Sequence, residues 1–208
     1  MSQLITIDER PVQPKGLNKS ARPKNITAYV FEEDYENLKL LKPLNVQLPD
    51  NPVLLYPGCG ADVILPLEYV ERLCSPKHLH CIFIDKKQVF NQIATVLDDI
   101  GISFEKYKQN KNTLRFYWND MLVQLDIITA DIFQIIHSLK CDIYFERAFR
   151  IMKSGHADYE AAVFAQLSTG GLLISDSGYQ NSSLKKFPVA QELSAYKEMI
   201  IGRKLIEL

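Results

Sequence analysis

Apolar residues along the chain fall into short continuous runs separated by longer stretches of helical spacing, and the two patterns alternate. Val53 to Tyr56, His80 to Ile84, Ile127 to Ala130, Cys141 to Phe145 and Leu172 to Ser175 are runs bounded by turn or polar residues, as suits strands buried on both faces. Between them apolar positions recur at helical intervals: Leu67, Val70, Leu73 and Cys74; Val89, Ile93, Val96, Leu97 and Ile100; Ile132, Ile135, Ile136 and Leu139; then Ala157 to Ser168. Pro66 suits a first helical turn, Gly101 a helix end, and Gly170-Gly171 a stop for the last helix. A further helix is expected between Ile26 and Leu44, acidic early and lysine-rich late.

Strand and helix in alternation predict an α/β fold, a Rossmann-like, mostly parallel sheet with helices on both faces and right-handed crossovers. Ile102 to Tyr107, Thr113 to Trp118 and Met121 to Thr129 read as strands, the last two joined by a tight turn at Asn119-Asp120, so that a small insertion, Ile102 to Asp120, precedes the third core strand. The tail offers a C-terminal antiparallel hairpin, with strands near Ala190 to Ser194 and Met199 to Leu205. Residues 1–25 hold Pro11, Pro14 and Pro23 among basic residues without apolar period, so they are expected to form a flexible arm. Residues 26–208 then make one domain, the number that 208 residues suit.

Composition narrows the function. A net charge of -1 gives no general attraction to nucleic acid or to an anionic membrane. No long apolar run or secretory pattern is present, so a cytoplasmic protein is expected. Cys59, Cys74, Cys81 and Cys141 lack the spacing of a zinc site or a disulfide framework and read as reduced thiols, with Cys59 filling space in a loop. His78, His80 and His137 have no ligand partner at metal spacing, and Trp118 beside its turn reads as a packing anchor.

The chemistry is expected where the strands end. In open α/β sheets ligands lie over the carboxyl ends, near the point where strand order reverses. Pro57-Gly58-Cys59-Gly60 follows the first predicted core strand, Asp85 the second, Asp131 the third, Glu146-Arg147 the fourth and Asp176 the fifth. Glycines at 58 and 60 allow a sharp bend and close approach to backbone N–H groups, and a carboxylate at Asp85 can accept both hydroxyls of a ribose. These are parts of a nucleoside site.

With these residues in place, the chain from about Ile26 to Leu208 resembles the class I S-adenosylmethionine-dependent methyltransferase family. Val53-Leu-Leu-Tyr-Pro-Gly-Cys-Gly-Ala-Asp62 is similar to the family's first motif and Cys81-Ile-Phe-Ile-Asp85 to its ribose-binding strand end. Thr129-Ala-Asp-Ile-Phe133 is similar to its adenine-binding segment, and Gly170-Gly-Leu-Leu-Ile174 to the turn into its fifth strand. The resemblance implies S-adenosylmethionine as cofactor, with Gly58 and Gly60 against its methionyl and ribose parts. It implies Asp85 on the ribose hydroxyls, Asp131 on the adenine amino group, Ile132 against the ring, and Glu146 near the point of methyl transfer. Two positions depart from the family pattern: Tyr56 stands where an acidic residue is common, and Asp62 where a third glycine is. Both are counted with the cofactor-binding set; Asp62 suits either the cofactor's ammonium or a cap for the following helix.

The implied reaction is methyl transfer to a small-molecule acceptor, since little chain lies outside the core for a recognition domain. Glu146 is the candidate general base, with Arg147, Arg150, His156 and Tyr179 as candidate substrate contacts. An inactive binding or scaffold protein with the same fold is the alternative. A nicotinamide dinucleotide site is disfavoured because Val63 takes the place of the last glycine of Gly-x-Gly-x-x-Gly.

Overall fold

The computed structural model describes residues 5–107, 112–180 and 183–205. The outermost residues of the expected arm, 1–4, and the end of the expected domain, 206–208, lie outside the described residues.

Nine strands form one mixed sheet: β1 (Val53–Pro57), β2 (His78–Asp85), β3 (Phe104–Lys106), β4 (Thr113–Trp118), β5 (Met121–Thr129), β6 (Cys141–Glu146), β7 (Leu167–Ser175), β8 (Leu184–Lys186) and β9 (Ile200–Lys204). Their spatial order is β3-β4-β5-β2-β1-β6-β7-β9-β8. The central five, β5-β2-β1-β6-β7, are mutually parallel. Counted along the chain, they read third, second, first, fourth, fifth, the doubly wound order whose direction reverses at β1. The edges are antiparallel: β3 and β4 extend β5, and β9 lies between β7 and β8.

The winding sets the two layers. Helices α2 (Ile64–Leu73) and α3 (Phe90–Asp99) cover one face, with Leu54, Tyr56 and Phe145 pointing into their core. On the other face lie α4 (Ile132–Ile135) and α6 (Tyr159–Gln166), over Leu55, Ile84 and Tyr144. Alternate residues of each buried strand thus serve opposite layers, which is why the runs are continuously apolar. Trp118 anchors the edge: it is fully buried and donates from its indole N–H to Glu71 at 3.1 Å. No helix among the described residues is long and apolar enough to cross a membrane.

Several elements differ from expectation. The helix expected from Ile26 to Leu44 is broken into a 3-10 turn at Ile26–Ala28, α1 (Glu32–Asn37) and a second 3-10 turn at Leu38–Leu40. None of α1's own residues is buried, so it has no apolar face to extend. Gly170 and Gly171 do not stop a helix but lie inside β7. A Cβ on Gly171 would meet the carbonyl oxygens of Ser168 at 2.7 Å and Asp142 at 2.8 Å, beside a register shift between β6 and β7; these are bulge glycines. The hairpin partner of β9 is β8, upstream of the expected 190–194 segment, which instead holds a 3-10 turn at Gln191–Leu193. A short helix, α5 (Arg150–Ser154), occupies the loop expected after the fourth core strand.

Residues 5–25 have no helix or strand, yet they lie against the domain. Val12 is buried, Arg10 pairs with Asp98 and Asp99 on α3, and the amides of Lys15 and Gly16 both donate to the Phe104 carbonyl at 3.1 Å.

Candidate functional site

The turn after β1 is built by its glycines. Gly58 and Gly60 both take positive φ, 60° and 52°, where a side chain is strained. A Cβ at Gly58 would stand 2.8 Å from the ring of Phe149, so the turn and the loop after β6 meet at that position. The amide of Gly58 donates to the Ile84 carbonyl at 2.8 Å, and the amide of Gly60 to the Asp85 carboxylate at 2.9 Å. The end of β2 therefore holds the turn in shape.

Above this junction is a cavity of about 250 Å3 whose walls include Gly58, Ile84, Asp85, Ala130, Ile132, Phe133, Phe149 and Met152. It sits over the carboxyl ends of β1, β2 and β5, where strand order reverses. Its size is near the lower end of ligand cavities and suits one nucleoside better than a dinucleotide. Asp85 accepts one backbone N–H on each oxygen, from Gly60 at 2.9 Å and Lys87 at 2.8 Å. A carboxylate has about four acceptor positions, so roughly two are left for a pair of hydroxyls. Lys86 and Lys87 complete the wall, and its aliphatic and aromatic parts suit a flat base.

Of the residues expected to bind a cofactor, the structure brings Gly58, Asp85 and Ile132 to this cavity, with Gly60 one hydrogen bond behind. Asp131 is displaced from it. Its carboxylate caps α4 through the Phe133 amide at 3.1 Å and pairs with Lys86 at 2.9 Å, and the Lys86 ammonium holds it below the usual carboxylate range. Tyr56 points to the opposite layer, buried edge-on against Phe83 and Phe145, with its hydroxyl on Asp62 at 3.2 Å.

Asp62 caps the start of α2 through the Leu65 amide at 3.0 Å, as one of its two expected roles has it, and it also lines a second cavity. This one, of about 230 Å3, lies on the other side of the glycine turn, with Arg147 and Asp34 also in its wall. Arg147 donates to Asp34 at 2.5 Å. Removal from water raises the Asp62 pKa, which Arg147 only partly offsets.

Glu146 lies elsewhere. Its side chain has no exposed surface; one oxygen takes Lys153 at 2.5 Å, Ser175 at 2.6 Å and Ser177 at 3.1 Å, and the other takes the Tyr144 hydroxyl at 2.8 Å. The expected general base is thus enclosed by four donors and lines neither the nucleoside-sized cavity nor the cleft beyond it. The reason is local: Ala148 has a φ of 54°, and the reversal there brings α5 back so that Lys153 covers the carboxylate. His156 and Tyr179, expected beside Glu146 and Arg147, line a separate cleft of about 710 Å3 together with Lys153. Helix α5 divides that cleft from the nucleoside-sized cavity, giving Met152 to one and Lys153 to the other.

Sequence reasoning missed Phe149 and Met152 as walls and the Asp34–Arg147 pair. Phe149 precedes and Met152 lies within a five-residue helix too short to show a period, and the pair joins positions far apart in the chain.

No family model matches the chain, and no curated protein matches it. Solved structures similar to it include a methyltransferase from Geobacter sulfurreducens, at 15% identity and TM-score 0.45, over 76% of this chain and 73% of that one. An S-adenosyl-L-methionine methyl transferase from Silicibacter pomeroyi is 8% identical, with TM-score 0.46 over 84% of this chain and 95% of that one. A SAM-dependent methyltransferase from Geobacter sulfurreducens in complex with S-adenosyl-L-homocysteine is 13% identical, with TM-score 0.42 over 78% of this chain and 53% of that one.

Proposed function

We propose that the cavity at Gly58, Asp85 and Ile132 binds the adenosine part of S-adenosylmethionine, and that the protein is a cytoplasmic methyltransferase acting on a small molecule. One observation carries this reading: a glycine turn, a strand-end carboxylate with free acceptor positions and an apolar slot converge over the reversal point of a doubly wound sheet. The sequence motifs around those residues supply the choice of cofactor. A bound sulfonium supplies a methyl group already activated for displacement. The chain's own part is to hold the ribose on Asp85, seat the base against Ile132 and Phe133, and exclude water with Phe149 and Met152. Glu146 is assigned a positioning role, holding α5 and hence those two walls. Calorimetry with S-adenosylhomocysteine tests the reading. Saturation at 100 times the dissociation constant raises unfolding stability by about 2.7 kcal/mol, visible as a higher melting temperature; no binding at millimolar ligand removes the cofactor assignment.

A second reading is favoured by the sealing of Glu146: a binding module that holds the cofactor without turnover. Incubation with methyl-labelled cofactor and a small-metabolite extract separates the two. Label transferred to a metabolite supports the enzyme, and tight binding with no transfer supports the module.

A further inference from the structure

The nucleoside-sized cavity carries a cation that its sequence motifs do not explain. The resemblance puts the Asp131 carboxylate on adenine's amino group, but Asp131 is not a wall of the cavity, and each of its oxygens is claimed. One accepts the Phe133 amide at 3.1 Å and the other pairs with the Lys86 ammonium at 2.9 Å. Lys86 does line the cavity. Its ammonium lies over the ring of Phe133, 5.9 Å from the centroid, at the wall assigned to the base. The sheet brings the two charges together: β2 and β5 stay in register up to Asp85 beside Thr129, and the Ala130 amide donates to the Asp85 carbonyl at 2.9 Å. Lys86 and Asp131 therefore leave the ends of neighbouring strands side by side. The Lys86 side chain is 65% exposed and that of Asp131 25%, so the ammonium is the more open member of the pair.

This exchange reverses the hydrogen-bonding sense of the site. A carboxylate accepts only, whereas an ammonium has three donors and no acceptor. Adenine offers an ammonium the lone pairs of its ring nitrogens. Hypoxanthine, in which a carbonyl replaces the amino group, offers the carbonyl oxygen as well. Lys87, the other cation of the wall, is tied through its own amide to Asp85 at 2.8 Å, at the end assigned to the ribose.

We propose that Lys86 sets the base specificity of this cavity: its ammonium, held by Asp131, donates to an acceptor on the edge of a purine, so the site takes hypoxanthine as readily as adenine. Resting on the cofactor reading above, the assignment names what selects the base there. It runs against the resemblance, which supplies an acceptor where this chain presents a donor. Asp131 acts from behind, as the anchor of Lys86.

Calorimetry on the full chain compares S-adenosylhomocysteine with S-inosylhomocysteine, its deaminated form. The wild type is expected to bind the two within about fivefold of each other, because both bases present an acceptor to the ammonium. A site that accepted from the amino group would reject the deaminated form by about a hundredfold or more, since its acceptor would then face a carbonyl. Lys86→Met removes the donor and frees Asp131. It is expected to weaken S-inosylhomocysteine by roughly tenfold, as for a lost charge-assisted bond, and S-adenosylhomocysteine by less, because the freed carboxylate can accept from the amino group. A preference for adenine thus arises in the variant. Lys86→Arg keeps a donor and is expected to restore the even binding of the wild type. The exposure of Lys86 leaves the fold of both variants intact. A wild-type preference for adenine above about fivefold overturns the assignment to Lys86 and leaves the cofactor reading standing. An unchanged ratio of the two affinities in Lys86→Met overturns it as well. If neither compound binds the wild type, the cofactor reading fails and the Lys86 assignment with it.

Discussion

Asp85 and Glu146 both sit at the carboxyl ends of central parallel strands of the same sheet, yet one faces a cavity and the other is walled in. Asp85 spends each oxygen on one backbone N–H and keeps acceptor capacity beside the glycine turn. Glu146 spends its oxygens on Lys153, Ser175, Ser177 and Tyr144 and is buried. Position along a strand thus places a carboxylate at the ligand edge of the sheet, and what the following loop does decides whether it holds a ligand or holds the protein. After β2 the chain bonds back to the carboxylate only through the Lys87 amide, while Lys86 and Lys87 line the same cavity. After β6 it reverses at Ala148 and returns a buried lysine.

The largest expected effect tests the walled-in side. Glu146→Ala takes one of two carboxylates from the buried Lys153, which keeps Glu160 at 3.0 Å, and strips the Tyr144, Ser175 and Ser177 hydroxyls of an acceptor; breaking such a buried network costs about 3–5 kcal/mol. Urea unfolding should show this as a lower midpoint at unchanged slope. Replacing both groups, Glu146→Gln with Lys153→Met, should recover part of the loss, because an amide oxygen again accepts from the hydroxyls and no buried ammonium has lost a carboxylate. A loss below about 1 kcal/mol for Glu146→Ala would show that the enclosure contributes little, and would break the contrast with Asp85.

The same contrast explains which parts were legible in the sequence. The parallel core was readable because Val53 to Tyr56 and Cys141 to Phe145 must be apolar on both faces, and Gly58, Asp85 and Ile132 were readable because backbone geometry and strand ends fix them. Asp131 was misplaced because an acidic strand end is equally a helix cap, and here Lys86 and the Phe133 amide claim it. Tyr56 was misplaced because strand alternation sends it to the other layer. Glycine at 170 and 171 signals both helix ends and strand bulges, and only the packing of β7 on β6 separates them. The enclosure of Glu146 was not legible because its partners lie 2, 7, 29 and 31 residues away, as the bonds to Tyr144, Lys153, Ser175 and Ser177 show.

The open side is tested next. Asp85→Ala should weaken S-adenosylhomocysteine by about 1.5–3 kcal/mol, the range for hydrogen bonds to a charged group. Because Asp85 also holds the Gly60 and Lys87 amides, a smaller loss of folding stability, about 1 kcal/mol, should accompany it. Calorimetry and denaturant unfolding on the same variant read the two effects separately. A variant that loses stability but keeps full affinity would make Asp85 a structural brace like Glu146, and the two strand ends would no longer differ in kind.

The smallest effect sharpens the comparison at Asp62, which shares features of both. Its carboxylate caps α2 and also lines a cavity, and removal from water raises its pKa above the ordinary carboxylate range. A folded-state pKa above the unfolded one means that the stability contributed by protonation is fully present below the unfolded carboxylate pKa and is lost as pH rises through the raised folded value. Asn at this position keeps a cap acceptor and removes the ionisation. Wild type and Asp62→Asn should therefore differ least in acid, and the variant should gain relative to wild type as pH rises from the ordinary carboxylate range toward neutrality. Chemical unfolding of both proteins across that window measures it. If the relative stability instead moves toward wild type with rising pH, the ionised carboxylate is favoured in the fold, Arg147 outweighs the loss of water, and Asp62 belongs with Glu146 as a paired structural charge.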